Sequence, residues 1–355
     1  MIEATRRDLL KLGGGAAALA ALAGGTAVPR TSAASATKAA APGPGLPIGY
    51  PLGPFVRDPA NPILRPSNRI WESRFVFNPA AVVKDGLVQL LYRAQGPDGR
   101  SSIGLATSSD GVHFLRLNKP VMEASEPYEL PGGCEDPRVI EVGGTYYMTY
   151  TGYDGTSARL CLATSRTLLR GSWAKHGPLF PNFVTRGVGK PWSKSGAILT
   201  TPLNGRYIMY FGDKDIYYAW STDLIHWTPG PVDDPLMRPQ PGTYSDELLE
   251  PGPPPLMTEN GYILFIHNSA ARDPDGKLIY RAGQALIDPA QPTEELARLT
   301  TPFLVPETPE EIAGQVNNVV FVEGLVAYKG EWLLYYGQGD AGVGVLHGHS
   351  RSACG

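Results

Sequence analysis

One short pattern occurs five times along the chain, and it constrains the fold more than any other feature. Each copy has an apolar β-rich run, a two-residue turn that ends in glycine, and a second run rich in aromatic residues. The turn glycines are Gly86, Gly144, Gly205, Gly261 and Gly330, which lie 58, 61, 56 and 69 residues apart. Asp-Gly, Asn-Gly and Gly-Gly turns between such runs are strong β-hairpin signals. The chain is therefore predicted to contain five antiparallel modules.

The repeat predicts an all-β fold, and specifically a five-bladed β-propeller. No segment shows a sustained hydrophobic period of about 3.6 residues, so few helices are expected. A module of this size cannot bury its faces alone, whereas five modules arranged around one axis bury each other. A β-sandwich is the alternative, but it needs fewer strands and does not need the repeat.

The first 41 residues are predicted to be an export signal with its processing region, outside the fold. Arg6 and Arg7 precede a Gly/Ala-rich apolar stretch at 13–25, and an Ala-Ser-Ala sequence at 34–36 resembles a cleavage site. This order is typical of twin-arginine export and predicts a periplasmic or extracellular protein. The apolar stretch is too short for stable membrane insertion. Residues 42–54 are then predicted to be a Pro/Gly-rich linker, and 55–355 the catalytic propeller.

Charge and cysteine content narrow the classes of partner and cofactor. The formal net charge of −3 gives no electrostatic basis for binding nucleic acid. Cys134, Cys161 and Cys354 are odd in number and lack CxxC spacing, which argues against a zinc site or a disulfide framework. A single Cys134–Cys161 bridge stays possible. No metal and no cofactor are predicted, because four histidines lack the spacing of metal ligands: His113, His226, His347 and His349.

Charged residues recur near the start of the first strand of several modules. In a propeller these strands begin at one mouth of a central channel. The residues eight positions before each turn glycine are Asn78, Asp136, Ala197, Pro253 and Val322. The charged residues within three positions of these are Glu135, Asp136, Arg138, Lys194, Glu250 and Glu323. Three modules thus bring carboxylates to the same ring. Each carboxylate could instead cap a turn or pair with a neighbour, as Asp136 could with Arg138.

A group of carboxylates suits the cleavage of a glycosidic bond. That reaction needs a proton for the leaving oxygen, and a nucleophile or a base that activates water. Crowding by a second carboxylate helps one of them to stay protonated. We expect Pro137 to hold Asp136 in an extended conformation at the start of its strand. Aromatic residues that could provide flat faces for sugar rings are Trp71, Tyr153, Tyr218, Trp220 and Tyr244.

The motifs around these residues resemble glycoside hydrolase family 130, the family of mannoside phosphorylases and β-1,2-mannosidases. The similarity extends from about Asn61 to about Asp340. Its most specific stretches are Asn78-Pro79-Ala80, Gly133-Cys134-Glu135-Asp136-Pro137-Arg138, Lys194-Ser195-Gly196-Ala197, Glu250-Pro251-Gly252-Pro253 and Val322-Glu323-Gly324-Leu325. The resemblance implies a five-bladed propeller and inverting chemistry.

The resemblance also implies a role for individual residues. Asp136 matches the general acid, which in the phosphorylases is thought to act through a hydroxyl of the bound mannose. The resemblance implies that Asn78, Arg93, Lys194 and Asp340 bind mannose, and it implies the same by a weaker match for His267. Arg138 and Asp213 are predicted to bind substrate as well. The chain departs from the family pattern at Cys134, which precedes Glu135, and at Asn268, which replaces the usual glycine after His267.

The hydrolytic branch of the family carries two glutamates in contexts that resemble those of Glu250 and Glu323. Two carboxylates near the attacking species would repel phosphate and could activate water. The resemblance therefore implies an inverting hydrolase of β-linked mannosides, a β-1,2-mannosidase acting on a mannose-containing oligosaccharide or glycan, and the predicted export signal agrees with this assignment. The sequence leaves open the linkage, the leaving sugar, the oligomeric state and which glutamate is the base.

Three alternatives are weighed against this interpretation. The first is a phosphorylase of the same family. The second is another five-bladed glycosidase, such as an arabinofuranosidase, but such enzymes have acids where this chain has Asn78 and the Lys194 segment. The third is a non-catalytic sugar-binding propeller, which would not need Asp136 together with both glutamates.

Overall fold

The computed structural model describes residues 48–348, and strands dominate this range. The predicted export signal, most of the predicted linker, and Cys354 lie outside the described residues. The strands, in chain order, are β1 (Phe55–Arg57), β2 (Phe75–Lys84), β3 (Leu87–Gln95), β4 (Ser101–Ser108), β5 (Leu115–Arg116), β6 (Gly133–Val142), β7 (Thr145–Tyr153), β8 (Ala158–Ser165), β9 (Ala174–Pro178), β10 (Ala197–Ile198), β11 (Tyr207–Phe211), β12 (Tyr217–Ser221), β13 (Thr228–Pro229), β14 (Leu248–Pro251), β15 (Leu256–Met257), β16 (Ile263–Arg272), β17 (Leu278–Ile287), β18 (Glu295–Arg298), β19 (Val320–Tyr328), β20 (Glu331–Gln338) and β21 (Gly342–Gly348). The helical elements are the 3-10 turns Ile70–Glu72 and Pro127–Glu129 and the helix α1 (Pro309–Ile312).

The strands form five antiparallel groups, one for each predicted module. Their strand orders are β2-β3-β4-β5, β6-β7-β8-β9, β10-β11-β12-β13, β14-β16-β17-β18 and β19-β20-β21-β1. In the fourth group β15 also pairs with β16. A single parallel pair between Ser101 and Gly133 joins the first two groups into one sheet. The prediction of an all-β chain is confirmed.

The five turn glycines have the conformation that their hairpins require. All five have positive φ, between 72° and 89°. In four of the turns the preceding residue has positive φ as well, as type I′ hairpins demand: Asp85, Gly143, Asn204 and Lys329. The hairpin prediction is confirmed at these positions.

Hydrophobic clusters lie between neighbouring groups, and they connect the groups in a cycle. Ile140 and Leu160 of the second group, for example, pack with Ile198 and Met209 of the third. Similar clusters join the first group to the second, the third to the fourth, and the fourth to the fifth. A further cluster, which includes Leu90 and Leu333, joins the first group to the fifth. Every group therefore buries apolar surface against two others.

The N-terminal strand completes the C-terminal group. Phe55 of β1 pairs with Gly348 of β21 in antiparallel register. Arg57 donates from Nε to Oε1 of Glu311 at 2.8 Å. The main chain of Leu52, within the predicted linker, exchanges two 2.8 Å hydrogen bonds with the side chain of Gln284 in the fourth group. The end of the predicted linker is therefore attached to the fold.

Three fully buried glutamates repeat the same arrangement at the ends of short helical turns. Glu72, Glu129 and Glu311 each precede the first strand of a group and are 0% exposed. Each accepts a hydrogen bond from a tyrosine hydroxyl on the second strand of that group: Tyr92 at 2.6 Å, Tyr150 at 2.7 Å and Tyr336 at 2.7 Å. Each also pairs with a basic side chain, among them Arg69, Lys175 and Arg57. Such fully bonded charges fix the short turns against the sheets.

Two of these glutamates, Glu129 and Glu311, predict a loss of stability in acid. Burial by itself raises the pKa of Glu129 and Glu311, but hydrogen bonds from Lys175 and Arg57 outweigh it and hold both pKa values below the ordinary value. A carboxyl group with a lowered folded-state pKa stabilises above its unfolded pKa of about 4.3, and this stability disappears as pH falls through the folded pKa. We expect the free energy of unfolding to be level above about pH 5 and to fall below about pH 4.

Replacing Glu129 with glutamine tests this prediction. Loss of the charge-assisted bonds should lower the free energy of unfolding at pH 7 by about 1.5–3 kcal/mol and flatten the acid dependence. Urea unfolding at pH 7 and pH 4 measures both effects. Glu259→Gln, at an exposed glutamate, is the control. An unchanged acid profile in Glu129→Gln would show that other carboxyl groups determine it.

Candidate active site

The first strands of three groups are irregular where they carry buried polar residues: Asn78, Asp136 and Glu323. The β2–β3 register shifts between Phe77 and Pro79, around Asn78, and the β6–β7 register shifts between Glu135 and Arg138. The β19–β20 register shifts around Glu323. Such bulges bend a strand and redirect side chains.

The backbone at these positions corrects one expectation. Asp136 has φ of 48°, so Pro137 does not hold it in an extended conformation. Asp136 and Pro137 are the surplus residues of the bulge, and Pro137 has no N–H to donate to the ladder. Asn78 and Ser195 also have positive φ, at 49° and 55°. Three groups thus use the same left-handed backbone, which is uncommon for residues other than glycine.

Asp136 is the centre of a buried polar network. Its side chain is enclosed, with a residue exposure of 1%. Asn78 Nδ2 donates to its Oδ1 at 2.7 Å, and Arg93 Nη1 donates to the same oxygen at 2.9 Å. Lys194 Nζ lies 3.4 Å from Oδ2. Residues of the first three groups therefore meet at one carboxylate, with an amide and two cations around it.

A cavity of about 240 Å³ lies next to this network. The charged residues that line it are Arg93, Glu135, Lys190, Lys194, Asp213, Glu250 and Asp340. Arg93 donates from Nη2 to Oε1 of Glu135 at 2.6 Å while also contacting Asp136. Arg93 and Lys194 thus connect the cavity wall to the carboxylate behind it.

Electrostatics differ among the charged groups of the wall. Burial raises the pKa of Glu135, the nearby charge of Asp136 adds to the rise, and Arg93 and Lys194 oppose it. Burial by itself would lower the pKa of Lys194, but the charges of Asp136, Glu250 and Glu135 outweigh it and raise that pKa. The wall therefore contains a carboxyl group that takes up a proton more readily than usual and a lysine that stays charged.

Glu250 and Glu323 occupy different depths. Glu250 ends near the cavity, where it accepts a hydrogen bond from the hydroxyl of Ser195. Glu323 is 0% exposed, and its Oε1 lies 3.2 Å from Nη2 of Arg138. Only Glu250 of the two belongs to the described cavity wall.

The ten predicted site residues thus fall into two sets. Five line the cavity: Arg93, Lys194, Asp213, Glu250 and Asp340. The other five are buried and are not part of its lining: Asn78, Asp136, Arg138, His267 and Glu323. Hydrogen bonds and ion pairs join Asn78, Arg93 and Lys194 directly to Asp136, and an ion pair joins Arg138 to Glu323. Their proposed roles stay predictions.

His267 is enclosed by aromatic rings. Its ring stacks with Tyr244, with centroids 6.2 Å apart and an interplanar angle of 14°. Burial, with a smaller effect of Arg298, lowers the pKa of His267 to about 3, so the ring is neutral near pH 7. A Cβ at Gly283 would come within 2.7 Å of the His267 ring, so glycine is required for this packing.

Asn268 has a structural role at the position where the family has glycine. Its Nδ2 donates to the carbonyl of Val322 at 3.0 Å, and its Oδ1 accepts from the Val322 N–H at 2.7 Å. The amide thereby ties the fourth group to the strand that carries Glu323.

The sequence analysis did not identify Trp192, one of the aromatic residues on the cavity wall. Trp192 lines the cavity, donates from Nε1 to Asp213 Oδ2 at 2.6 Å, and packs edge-on against Tyr153. The ammonium of Lys190 lies 5.1 Å from its ring centroid. Its position two residues before Lys194 is the signal that could have found it. Among the five predicted aromatic residues, Tyr153 is the one on this wall; the others pack elsewhere: Trp71, Tyr218, Trp220 and Tyr244.

Cys134 and Cys161 are free, buried thiols, so no bridge joins them. Burial raises the pKa of Cys161 to about 12, so its thiol is protonated near neutral pH. Across residues 48–348, no cluster of three or more His, Cys, Asp or Glu side chains is arranged to hold a metal ion. The same range has no helix with the length and apolar character to span a membrane.

Comparisons with known proteins agree along nearly the whole described chain. The model of glycoside hydrolase family 130, described as beta-1,4-mannooligosaccharide phosphorylase, matches residues 55–352. A 1,2-beta-oligomannan phosphorylase of Thermoanaerobacter sp. (strain X514) is 35% identical over 298 residues, which cover 80% of this chain and 93% of the relative. A beta-1,2-mannobiose phosphorylase of the same strain is 34% identical over 301 residues, with coverages of 80% and 93%.

Solved structures add relatives of another kind. One, described as showing that this family of mannoside phosphorylases contains glycoside hydrolases that target β-1,2 mannosidic linkages in Candida mannan, has a TM-score of 0.79 and 35% identity, over 87% of this chain and 97% of that one. A glycosyl hydrolase from Bacteroides ovatus has a TM-score of 0.77 and 36% identity, over 85% and 96%. The chain is thus similar both to phosphorylases and to hydrolases.

Proposed function

Because the chain belongs to glycoside hydrolase family 130, we propose that it hydrolyses β-1,2-linked mannosides with inversion at the anomeric carbon. The observation that carries the choice of water over phosphate is the charge of the cavity wall. Four carboxylates face three cations there: Glu135, Asp213, Glu250 and Asp340 against Arg93, Lys190 and Lys194. Arg93 and Lys194 are already paired with acidic groups. With Glu135 ionised the wall has a net negative charge, and with Glu135 protonated it has none. In neither state does the wall carry the excess positive charge that would attract a dianionic phosphate, whereas neutral water needs none.

We also propose that the five groups are the blades of a five-bladed propeller. The cyclic order of their hydrophobic clusters and the pairing of β1 with β21 support this arrangement. The first strands of the groups would then surround the axis. The starts of these strands, three of them bulged, would form the wall of the central cavity.

Asp136 is the proposed general acid. It lies one layer behind Arg93 and Lys194, so a hydroxyl of the bound mannose is needed to relay the proton to the leaving oxygen. Asn78 and Arg93 hold one carboxylate oxygen, and Lys194 lies by the other. These contacts orient the group before substrate arrives, which is where positioned proton transfer gains its rate.

Glu250 is the proposed general base. It lines the cavity, and the Ser195 hydroxyl fixes one of its oxygens. Inverting enzymes separate acid and base by roughly 6.5–9.5 Å to hold the attacking water. Glu323 lies behind the wall on Arg138 and would support the base without touching the water. Mannose hydroxyls would bind Arg93, Lys194, Asp213 and Asp340, with Trp192 as a flat neighbour.

Product analysis tests the proposal. Purified protein is incubated with β-1,2-mannobiose in phosphate-free buffer and in buffer with phosphate at about ten times the concentration of mannobiose. Both compounds are supplied at or above the typical range of KM values, about 1 μM–1 mM. We expect mannose at equal rates in both, with the α-anomer seen first by NMR. A requirement for phosphate, with mannose 1-phosphate as product, would contradict hydrolysis.

Phosphorolysis is the second candidate function. The similarity to two phosphorylases at 34–35% identity favours it, as does the ammonium of Lys190 on the cavity wall, which lies over the Trp192 ring. Lys190→Met distinguishes the two reactions. If phosphate is the nucleophile, the variant should bind it more weakly; if water is, the rate should not depend on phosphate in either protein.

Export by the twin-arginine route remains part of the proposal. The paired Arg6 and Arg7, with the apolar stretch that follows them, support it. Cell fractionation of the native chain and of an Arg6→Lys/Arg7→Lys variant tests it. Retention of the variant inside the cell, with release of the native chain, is the expected result.

A further inference from the structure

Arg138 follows the bulge at Asp136 on β6 and contacts three different strands. Its residue exposure is 2%, and it is not part of the cavity wall. Nε donates to the Gly252 carbonyl at 2.8 Å, and Nη2 donates to the Pro251 carbonyl at 2.5 Å. Nη1 donates to the main-chain carbonyl of Asp136 at 3.3 Å. The guanidinium therefore joins the second group to the fourth.

The fifth group is attached to the same guanidinium. Nη2 of Arg138 lies 3.2 Å from Oε1 of Glu323, and both side chains are almost completely buried. The side-chain amide of Asn268 hydrogen-bonds to the main chain of Val322. Its Nδ2 also lies 3.4 Å from the Pro251 carbonyl, which Arg138 contacts as well. One cation thus fixes the backbone of Asp136, the residues that directly follow Glu250, and the side chain of Glu323.

These acceptors suit a guanidinium and no other side chain. Its donors point in fixed directions within a plane, so it can serve carbonyls on two sides and a carboxylate at once. A lysine ammonium has three donors on a flexible stem and would keep the charge but lose the span. The sugar cannot reach Arg138 without displacing these contacts, so the arrangement does not fit a sugar ligand.

We propose that Arg138 is a positioning residue that sets the relative placement of Asp136, Glu250 and Glu323. This inference rests on the proposed function, since it concerns the same carboxylates. It assigns to Arg138 a role through these residues in place of the contact with substrate that was predicted from the sequence. The residues of the cavity wall bind the sugar, and Arg138 is not one of them. The rate of the chemical step depends on the spacing of the three carboxylates, which Arg138 maintains.

Arg138→Lys tests the proposal, with Arg116→Lys as the matched control. Arg116 also pairs with a buried glutamate, Glu72, but belongs to the polar cluster of the first group. A displacement of catalytic groups by about 1 Å costs on the order of 10²-fold in rate. We expect kcat of Arg138→Lys to fall by about 10²-fold with KM nearly unchanged, and the pH profile of kcat to shift. Arg116→Lys should lower the unfolding temperature without either kinetic effect.

Several outcomes would overturn the inference. A raised KM with unchanged kcat would make Arg138 a sugar ligand, and full activity would make it dispensable. If Arg138→Lys does not fold, Glu323→Gln replaces it: the shape is kept, so loss of kcat without change in KM supports positioning, and unchanged kcat contradicts it.

The native enzyme is first assayed with water and with phosphate as acceptor, and the variants are then assayed with the acceptor that the native enzyme uses. Failure of hydrolysis is thereby seen in the native protein, and failure of the positioning role in the variants.

Discussion

Asp136→Asn is expected to lower kcat/KM on β-1,2-mannobiose by about 10²–10⁴-fold, because positioned proton transfer contributes that much. Asparagine keeps the shape of the side chain, and its carbonyl can still accept from Asn78 or Arg93. It has no proton of suitable acidity to give. Steady-state kinetics on protein that retains the native circular dichroism spectrum and unfolding temperature measures the loss.

Two comparisons make this result specific to Asp136. Glu141→Gln changes an exposed carboxylate near the other end of β6 and should leave turnover unchanged. A substrate with an activated leaving group, such as a 2,4-dinitrophenyl β-mannoside, needs little protonation, so the variant should lose much less activity on it. Equal loss on both substrates, or near-native activity on mannobiose, would remove the role of general acid from Asp136.

Glu250→Gln is expected to have a similarly large effect, of about 10²–10⁴-fold on kcat, for the complementary reason. The amide fills the same space beside Ser195 but cannot accept a proton from water. Mannose binding should be largely unchanged, since Arg93, Lys194 and Asp340 remain on the wall. Titration calorimetry with mannose and single-turnover kinetics measure the two properties separately.

A small anion provides the control for Glu250→Gln. Azide attacks without needing a base, so it should restore turnover with the activated substrate and give the α-mannosyl azide that inversion requires. Ser195→Ala, which removes the partner of Glu250 and keeps the carboxylate, should lose far less. No rescue together with a raised KM would indicate that Glu250 binds sugar and that the base lies elsewhere.

The sequence predicted the modules well because hairpin turns are local. A turn with two consecutive positive φ values strongly favours Asn, Asp or Gly at its first position, and three of the five turns combine such a residue with that backbone: Asp85-Gly86, Gly143-Gly144 and Asn204-Gly205. Because each module contains two β-rich runs on either side of its turn, these two runs were expected to pair with each other. Counting back from the turns came close to the bulges as well, within one residue at Asn78, Asp136 and Glu323.

The depth of each residue could not be predicted in this way. Glu250 and Glu323 have similar local contexts, yet one faces the cavity and the other is buried on Arg138. That difference depends on Arg138, which is more than one hundred positions away in sequence, and on the bulge that shifts the register around Glu323. The left-handed backbone of Asp136 was missed for a related reason. Proline restricts its predecessor on average, but the bulge and its buried partners determine the local conformation.

The buried glutamates were missed for a different reason. Glu72, Glu129 and Glu311 lie in short turns, and nothing in the local sequence distinguishes them from other glutamates. Their tyrosine partners are 20, 21 and 25 positions away. Only the folded structure shows that the three glutamates share one arrangement, each with a tyrosine hydroxyl and a basic side chain.

The pairing of β1 with β21 has a consequence for biosynthesis. The final strand group contains both the first and the last strands described, so translation must reach residue 348 before that group can be complete. Until then β19 and β20 lack their outer neighbours, and the apolar surface between the first and fifth groups stays unburied. Contacts between residues this distant form slowly. A nascent chain is thus expected to depend on protection from aggregation until release. A circular permutant that links residues 48 and 348 and opens at the Gly143-Gly144 turn should move this requirement from the fifth group to the second, because β6 and β7 would then lie at opposite ends of the chain.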